Sequence, residues 1–383
     1  MSPDITAEAL ADDARLDAAF AWLCQRRKDW PATADVWRFR RDWRKEKTRI
    51  QRELLDGTYE IGLLSRVTLW HDGQPADDVD LWTARDAVVM KALARLLQEH
   101  LPISPRVAHI AGNGGQKGAV RQVWEALPEH TFVLKTDVRS YYASIDHERL
   151  LERLACHLAD PQLIRLLVQY LRRTAERGGL YWEHRQGIAR GCPLSPIIGA
   201  FYLAELDEAL EQHGFWFCRF MDDIAVLTPT RWKLRRAVRL VNEVLAALGM
   251  AKAPTKTYIG RIAKGFAWLG YQLSPNGLRV AKATVERFAA RISRLYEQHA
   301  DQNRMGRYVQ HWLRWVEAGL VTLVGGVASV LPFVHEKIVS PRMIPFAAFL
   351  SGLVGVCILL VHHYMPGRAS QASPITVWRL QCH

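Results

Sequence analysis

Two adjacent carboxylates, Asp222 and Asp223, stand in the stretch Cys218-Arg219-Phe220-Met221-Asp222-Asp223-Ile224-Ala225-Val226-Leu227. Short apolar runs flank them, a pattern that predicts a β-hairpin with both acids at its tip. Side chains alternate along a strand, so a tip is one of few places where neighbouring acids can approach one ion cluster. Mg²⁺ is a hard cation, held by one or two protein carboxylates together with substrate phosphates. An acidic tip therefore suits a metal that handles nucleotides; a solvated acidic turn is the plain alternative.

The elements that must position these acids lie upstream and downstream. Phe132-Val133-Leu134-Lys135-Thr136-Asp137-Val138 reads as an apolar strand ending in an acid. Tyr141 and Tyr142 follow, then Asp146, which is expected to N-cap the next helix and not to bind a metal. Residues 147–178 are predicted mostly helical, with a break near Pro161. A loop punctuated by Gly and Pro, Gln186-Gly187-Ile188-Ala189-Arg190-Gly191-Cys192-Pro193-Leu194-Ser195-Pro196, opens an apolar helix over 197–210. After the hairpin come a basic helix over 231–248, then Lys256-Thr257, then Phe266-Ala267-Trp268-Leu269-Gly270-Tyr271.

The order of these pieces is specific, and it resembles the reverse transcriptases of bacteria, those of group II introns and their stand-alone relatives. The resemblance covers roughly residues 50–318. It implies an α+β fold: a right-hand polymerase with fingers, a palm of antiparallel sheet plus helices, and a helical thumb. It also implies two-metal nucleotidyl transfer, with ions clamping the attacking 3′-oxygen and the leaving pyrophosphate. The ions would be Mg²⁺, with Mn²⁺ as the alternative. Asp137 and Asp222 match the metal-binding acids, helped by the backbone carbonyl of Val138, and Asp223 matches a more peripheral third.

Other positions carry over in the same way. Tyr142, five residues after Asp137, resembles the steric gate that excludes a 2′-hydroxyl; a core tyrosine is its alternative. Gln186 and Gly187 match the loop that positions template and nucleotide, where glycine permits close backbone approach. Lys256 matches a basic residue near the triphosphate, a candidate general acid for pyrophosphate; a solvated lysine is the alternative. Phe266 to Tyr271 resembles the primer-grip turn; plain packing is the alternative. Two departures stand out. Phe220 replaces the tyrosine usual before the acids, and Asp77-Asp78-Val79-Asp80-Leu81-Trp82 stands where a basic fingers stretch is usual. Arg66, Arg85 and Lys91 remain as candidates for triphosphate binding.

The chain has 383 residues, enough for two or three domains with proper cores. At 49% hydrophobic and 23% charged it is a globular composition and excludes a disordered chain. A net charge of +12 suggests a polyanionic partner, nucleic acid or an anionic membrane. Six scattered cysteines without a Cys-x-x-Cys pair support neither a disulfide framework nor a zinc site, which fits a reducing cytosol. The acidic N-terminus does not fit a signal peptide.

The expected domains are a basic helical region (1–55), fingers (56–130) and a palm (131–272) with an inserted helical fingers part at about 156–185. A thumb (273–318) and a hydrophobic tail (319–383) complete them. Trp30, Trp37 and Trp43 interleave the basic residues of the first region, either as core or as part of a phosphate-contacting face. The loop Gly112–Gly118 is a weak phosphate-contact candidate or a connector. Two charge-free runs, 318–334 and 344–361, approach the length that spans a bilayer. A membrane hairpin within 319–365, anchoring an otherwise cytoplasmic protein at the inner membrane, stands beside a buried helical hairpin. No maturation, zinc-cluster or nuclease signature follows the thumb, so a complete mobile-intron protein is not expected. The implied partners are an RNA template, a DNA or RNA primer, dNTPs and a cognate non-coding RNA. By family analogy a cellular role such as antiviral defence fits. An RNA-binding scaffold with secondary polymerase activity, or a template-independent polymerase, are the alternatives.

Overall fold

A computed structural model of the chain describes residues 5–71 and 74–320. The expected membrane hairpin falls, from residue 321 on, outside the described residues. Among these, no helix is long and apolar enough to cross a membrane.

Four helices open the chain: α1 (Ala7–Leu10), α2 (Asp13–Arg26), α3 (Asp35–Arg41) and α4 (Trp43–Leu55). The side chains of Thr6 and Asp12 accept the free N–H groups that start the first two. Phe20 of α2 stacks on Trp43 of α4 at 4.2 Å, and Phe39 of α3 tilts against the same indole at 5.5 Å. These aromatics pack the helices together; Arg38, Arg40 and Arg41 of α3 are exposed, whereas Arg27 is buried and donates to the Trp82 carbonyl at 2.7 Å.

Strands β1 (Leu64–His71) and β2 (Gln74–Leu81) pair antiparallel, and Thr83 caps the long helix α5 (Ala84–His100). α5 buries Val88, Val89, Leu93, Leu96 and Leu97 at helical spacing and forms the centre of the main core. After α6 (Gly115–Ala126), β3 (Phe132–Thr136) leads into α7 (Tyr141–Ser144), α8 (His147–Ala155) and α9 (Pro161–Leu171). Asp146 caps α8 as expected, accepting the Arg149 N–H at 2.8 Å. The helix expected through residue 178 ends at Leu171. In its place β4 (Thr174–Arg177) and β5 (Leu180–Glu183) form a hairpin, because Gly178 and Gly179 both take positive φ, the two-residue turn that matches strand twist. β4 also pairs parallel with β1, giving the sheet order β2-β1-β4-β5.

The apolar helix expected over 197–210 is two helices, α10 (Ser195–Tyr202) and α11 (Ala204–Gln212). The hairpin strands β6 (Trp216–Phe220) and β7 (Asp223–Thr228) follow, then α12 (Arg231–Ala247) and β8 (Tyr258–Arg261). They form an antiparallel sheet in the order β6-β7-β3-β8. Leu234, Ala237, Val241 and Leu245 make the buried stripe of α12, spaced for one face. β9 (Phe266–Trp268), β10 (Tyr271–Ser274) and β11 (Gly277–Val280) precede α13 (Lys282–Glu297) and α14 (Gln302–Leu320). The described residues fall into two compact units: one runs to Leu269 and includes Leu273–Gly277, the other holds Gly270–Gln272 and Leu278 onward. In the second unit Phe288, Ile292 and Leu295 of α13 meet Met305 and Val309 of α14, and Phe288 stacks on Trp312 at 4.1 Å.

A buried charge cluster ties the first sheet together. Asp80 of β2 accepts from Arg66 of β1 at 3.0 Å and from Arg173, beside β4, at 3.1 Å. His184, after β5, stands 3.2 Å from the same carboxylate. Burial alone would raise the Asp80 carboxyl. His184, Arg173 and Arg66 outweigh it and hold the group well below the usual carboxylate range. Substituting Asp80→Asn leaves two guanidiniums without their counter-charge. It should cost about 3–5 kcal/mol in urea unfolding; a loss below about 1 kcal/mol would mean the cluster is solvated.

Candidate active site

Thr136, the last residue of β3, pairs with Ile224 of β7, so Asp137 comes level with the hairpin that carries the other two acids. A strand and a hairpin adjacent in one sheet thus unite carboxylates 85 residues apart. Phe220 pairs with Asp223, which leaves Met221 and Asp222 as the two-residue loop. Only Asp222 is at the tip proper; Asp223 begins β7.

Met221 has φ of 57°, a left-handed conformation that favours glycine at the first position of such a turn. Two groups hold it there. Its N–H donates to Nδ1 of His109 at 2.9 Å, and its carbonyl accepts from Arg219 at 2.9 Å. His109 donates from Nε2 to the Pro196 carbonyl at 3.2 Å, which fixes the neutral tautomer that can accept from Met221. Arg219 is fully buried. Its Nε lies 2.8 Å from Asp207 Oδ1, a second nitrogen reaches Asp207 Oδ2, and the Ala200 carbonyl accepts at 3.0 Å. None of His109, Arg219 and Asp207 was singled out by sequence reasoning. The signal for one of them was there: an arginine inside an otherwise apolar strand, two residues before the turn.

The carboxylates work against one another. Burial and then the Asp137 charge raise Asp222. Burial pushes Asp223 up to about 6, opposed by Lys135 and reinforced by Asp137 and Asp222. Lys256 Nζ stands 2.8 Å from Asp137 Oδ2, and that hydrogen bond raises its own pKa. The lysine ends a 3₁₀ turn, Pro254–Lys256, whose last carbonyl accepts from Lys135 Nζ at 2.9 Å. Ala253 donates to the Asp137 carbonyl at 2.7 Å and Arg139 to the Ala251 carbonyl at 2.8 Å. These two bonds bracket the bridge between Val138 and Lys252, so the Val138 carbonyl turns away from that segment.

Among the described residues no group of three or more His, Cys, Asp or Glu side chains is gathered into a cage that could hold an ion unaided. The donor set nevertheless fits a divalent cation whose coordination a substrate completes. It offers hard carboxylate oxygens from Asp137 and Asp222, where burial first and then the Asp137 charge raise the pKa of Asp222, and one carbonyl at Val138.

Tyr142 sits beside the tip, its hydroxyl 3.6 Å from Met221 Sδ. Burial first, then the Asp222 charge, push the phenol well above its usual range. Gly187 has φ of 80°, and a Cβ there would lie 2.9 Å from both the Tyr142 carbonyl oxygen and the Ala143 Cα. Ile188 N–H donates to that Tyr142 carbonyl at 2.8 Å, while the Gly187 carbonyl accepts from His147 at 2.8 Å and from Arg173 at 3.4 Å. Gln186 is exposed, its amide 3.4 Å from the Ser144 carbonyl. The structure thus brings Asp137, Asp222, Asp223, Lys256, Tyr142 and Gly187 into one neighbourhood. It commits the three candidates for triphosphate binding to other partners. Arg66 serves Asp80, Arg85 pairs with Glu53 and lies 4.4 Å over Tyr59, and Lys91 lies 5.3 Å over Trp22.

The sequence model of the family described as "Reverse transcriptase (RNA-dependent DNA polymerase)" matches residues 83–273. The "Uncharacterized 91 kDa protein in cob intron" of Schizosaccharomyces pombe is 27% identical over 137 residues, 33% of this chain and 16% of that protein. "Protein YkfC" of Escherichia coli is 21% identical over 266 residues, 58% of this chain and 69% of that one. Among solved structures, the "Partial Cas6-RT-Cas1--Cas2 complex" aligns with a TM-score of 0.38 and 19% identity, covering 63% of this chain and 41% of that one.

The tip's anchor generates a pH dependence. Burial and the Arg219 charge lower His109 from 6.5 to about 4. A folded value below the unfolded one means stability that is complete above about pH 6.5 and lost as pH falls toward 4. The expected loss is roughly 3 kcal/mol over that window. His109→Leu should be less stable at pH 7.5 yet lose less on acidification, as read by urea midpoints; parallel pH profiles would reject the buried neutral imidazole.

Proposed function

As a member of the reverse transcriptase (RNA-dependent DNA polymerase) family, the chain carries a nucleotidyltransferase domain, and we propose that it extends a primer on an RNA template with deoxynucleotides. The observation that carries this reading is the placement of Asp137, just past the end of β3, beside the hairpin loop that holds Asp222, where burial and the Asp137 charge raise Asp222 and a cation would relieve it. On this reading the sheet β6-β7-β3-β8 is the palm. The fingers include the sheet β2-β1-β4-β5, and the basic pair α13 and α14 is the thumb that follows the duplex backbone.

Reverse transcriptase domains use divalent metal ions. Two Mg²⁺ ions, or Mn²⁺ in their place, would be held by Asp137, Asp222 and the Val138 carbonyl, with Asp223 at the periphery. When bound, such ions stabilise charge on the attacking 3′-oxygen and on the leaving pyrophosphate.

The chain's own residues supply the rest. The Arg219 guanidinium and the His109 ring hold the tip, so Asp222 keeps its place without reorganisation during reaction. Lys256 carries a proton and a positive charge beside Asp137, where it can protonate the leaving pyrophosphate. Tyr142 stays protonated across the physiological range and holds its phenol against Met221 of the tip, where on this reading it would exclude a 2′-hydroxyl. Gly187 lets the loop backbone lie against the backbone of Tyr142 and Ala143, where Ile188 N–H donates to the Tyr142 carbonyl.

Primer extension on an RNA template tests the reading. Asp222→Asn should lower the rate by about 10³-fold and Asp223→Asn by less. Extension that is unchanged in Asp222→Asn would reject the site. Tyr142→Ala should raise ribonucleotide incorporation relative to deoxynucleotide by roughly 10–100-fold; an unchanged ratio would remove the gate assignment while leaving the polymerase reading intact.

A further inference from the structure

Away from the carboxylates, α12 and the edge strand β8 enclose an open groove of about 590 Å³. Arg231 and Arg235 line it from α12, and Arg261 and Lys264 from β8 and the turn beyond, with no acid among the lining residues. Phe132, Leu234, Val238, Tyr258 and Ile259 supply its apolar surface. All four cations are exposed. Among the described residues none of them is paired with a carboxylate. The bias extends to the whole segment 229–264, which holds nine Lys or Arg and a single acid, Glu243.

Aromatic rings accompany the charge. Trp232 is 72% exposed, and the Arg235 guanidinium lies 4.9 Å over its ring. Tyr258 folds back over Gly260, where a Cβ would come within 2.7 Å of the tyrosine hydroxyl. Its ring then stacks with Phe266 at 6.3 Å and 12°.

The groove is separate from the reacting end of the sheet. Arg261 pairs with Phe132, and Phe132 stands five residues before Asp137 along β3. At ~3.3 Å per residue that is about 17 Å. A row of cations beside a solvent-facing aromatic is the composition that tracks a strand backbone while stacking its bases. A peptide added to the β8 edge fits less well, since charged side chains such as Arg261 discourage strand pairing. We propose that this groove binds a single strand of nucleic acid, its phosphates on Arg231, Arg235, Arg261 and Lys264 and a base on Trp232, distinct from the strand pair being copied.

The test uses the full chain with its catalytic cleft saturated by unlabelled primer–template. Short labelled single strands of RNA and of DNA are titrated in by fluorescence anisotropy across a salt series. Trp232→Ala should weaken binding roughly ten-fold. The triple variant Arg231→Glu, Arg235→Glu, Arg261→Glu should weaken it by about 100-fold and flatten the log–log salt slope by about two. Tighter binding of the RNA oligonucleotide assigns the strand to RNA, and tighter binding of the DNA one assigns it to DNA; both support the groove. Unchanged affinity and slope in the triple variant overturn it, as does equally effective displacement by polyglutamate, which would mean an acidic protein segment is the occupant. Trp232 is exposed, so its variant should melt like the wild type and keeps the test decisive if the triple variant unfolds. Because binding is read without turnover, an inactive polymerase would leave this result standing.

Discussion

Three carboxylates are brought to one end of a largely buried sheet, where burial first and neighbouring acids second oppose the charge of Asp222 and Asp223. The surrounding structure is organised to sustain that arrangement. The antiparallel register of β3 with β7 sets which acids meet, and the Lys256 ammonium neutralises part of the charge directly. The turn that carries Asp222 needs a left-handed methionine, a conformation that costs about 1–3 kcal/mol and persists only where its neighbours impose it. They do so by occupying both of its backbone polar groups.

Arg219 and Asp207 illustrate what a buried ion pair contributes. Their desolvation consumes much of the attraction between them, so the pair adds little net stability compared with apolar residues of the same size. It adds direction instead. A guanidinium has several donors in a rigid plane, and here they reach a carboxylate, the Ala200 carbonyl and the Met221 carbonyl at once. The Asp80 cluster does the same in the other sheet. Through Arg173 it continues to the Gly187 carbonyl, linking strands β1, β2 and β4 to the loop beside Tyr142.

Much of this was legible in the chain. Asp137, Asp222 and Asp223 stand out through the order of strand, Gly-Pro loop and hairpin around them, since an acidic turn by itself is common, and the Asp146 cap follows from local chemistry. The hairpin at 174–183 was missed because the helical leucine pattern runs straight into it; the Gly178-Gly179 pair was the available sign. The roles of Arg66 and Arg85 were not legible, since their partners Asp80 and Glu53 lie 14 and 32 residues away. His109 was invisible for the same reason: its meaning depends on Met221, 112 residues on. Spacing reveals what one element does, whereas a long-range hydrogen bond exists only once two elements have met.

Gly187 carries a consequence for how such a chain can change over generations. With Tyr142 and Ala143 pressed against the place where a side chain would begin, this position has one permitted occupant. A mutation there is read out at Tyr142, and a shift of the helix carrying Tyr142 is read out at the loop. The two segments lie more than forty residues apart, yet they are a single heritable trait, and drift in either is checked by the other.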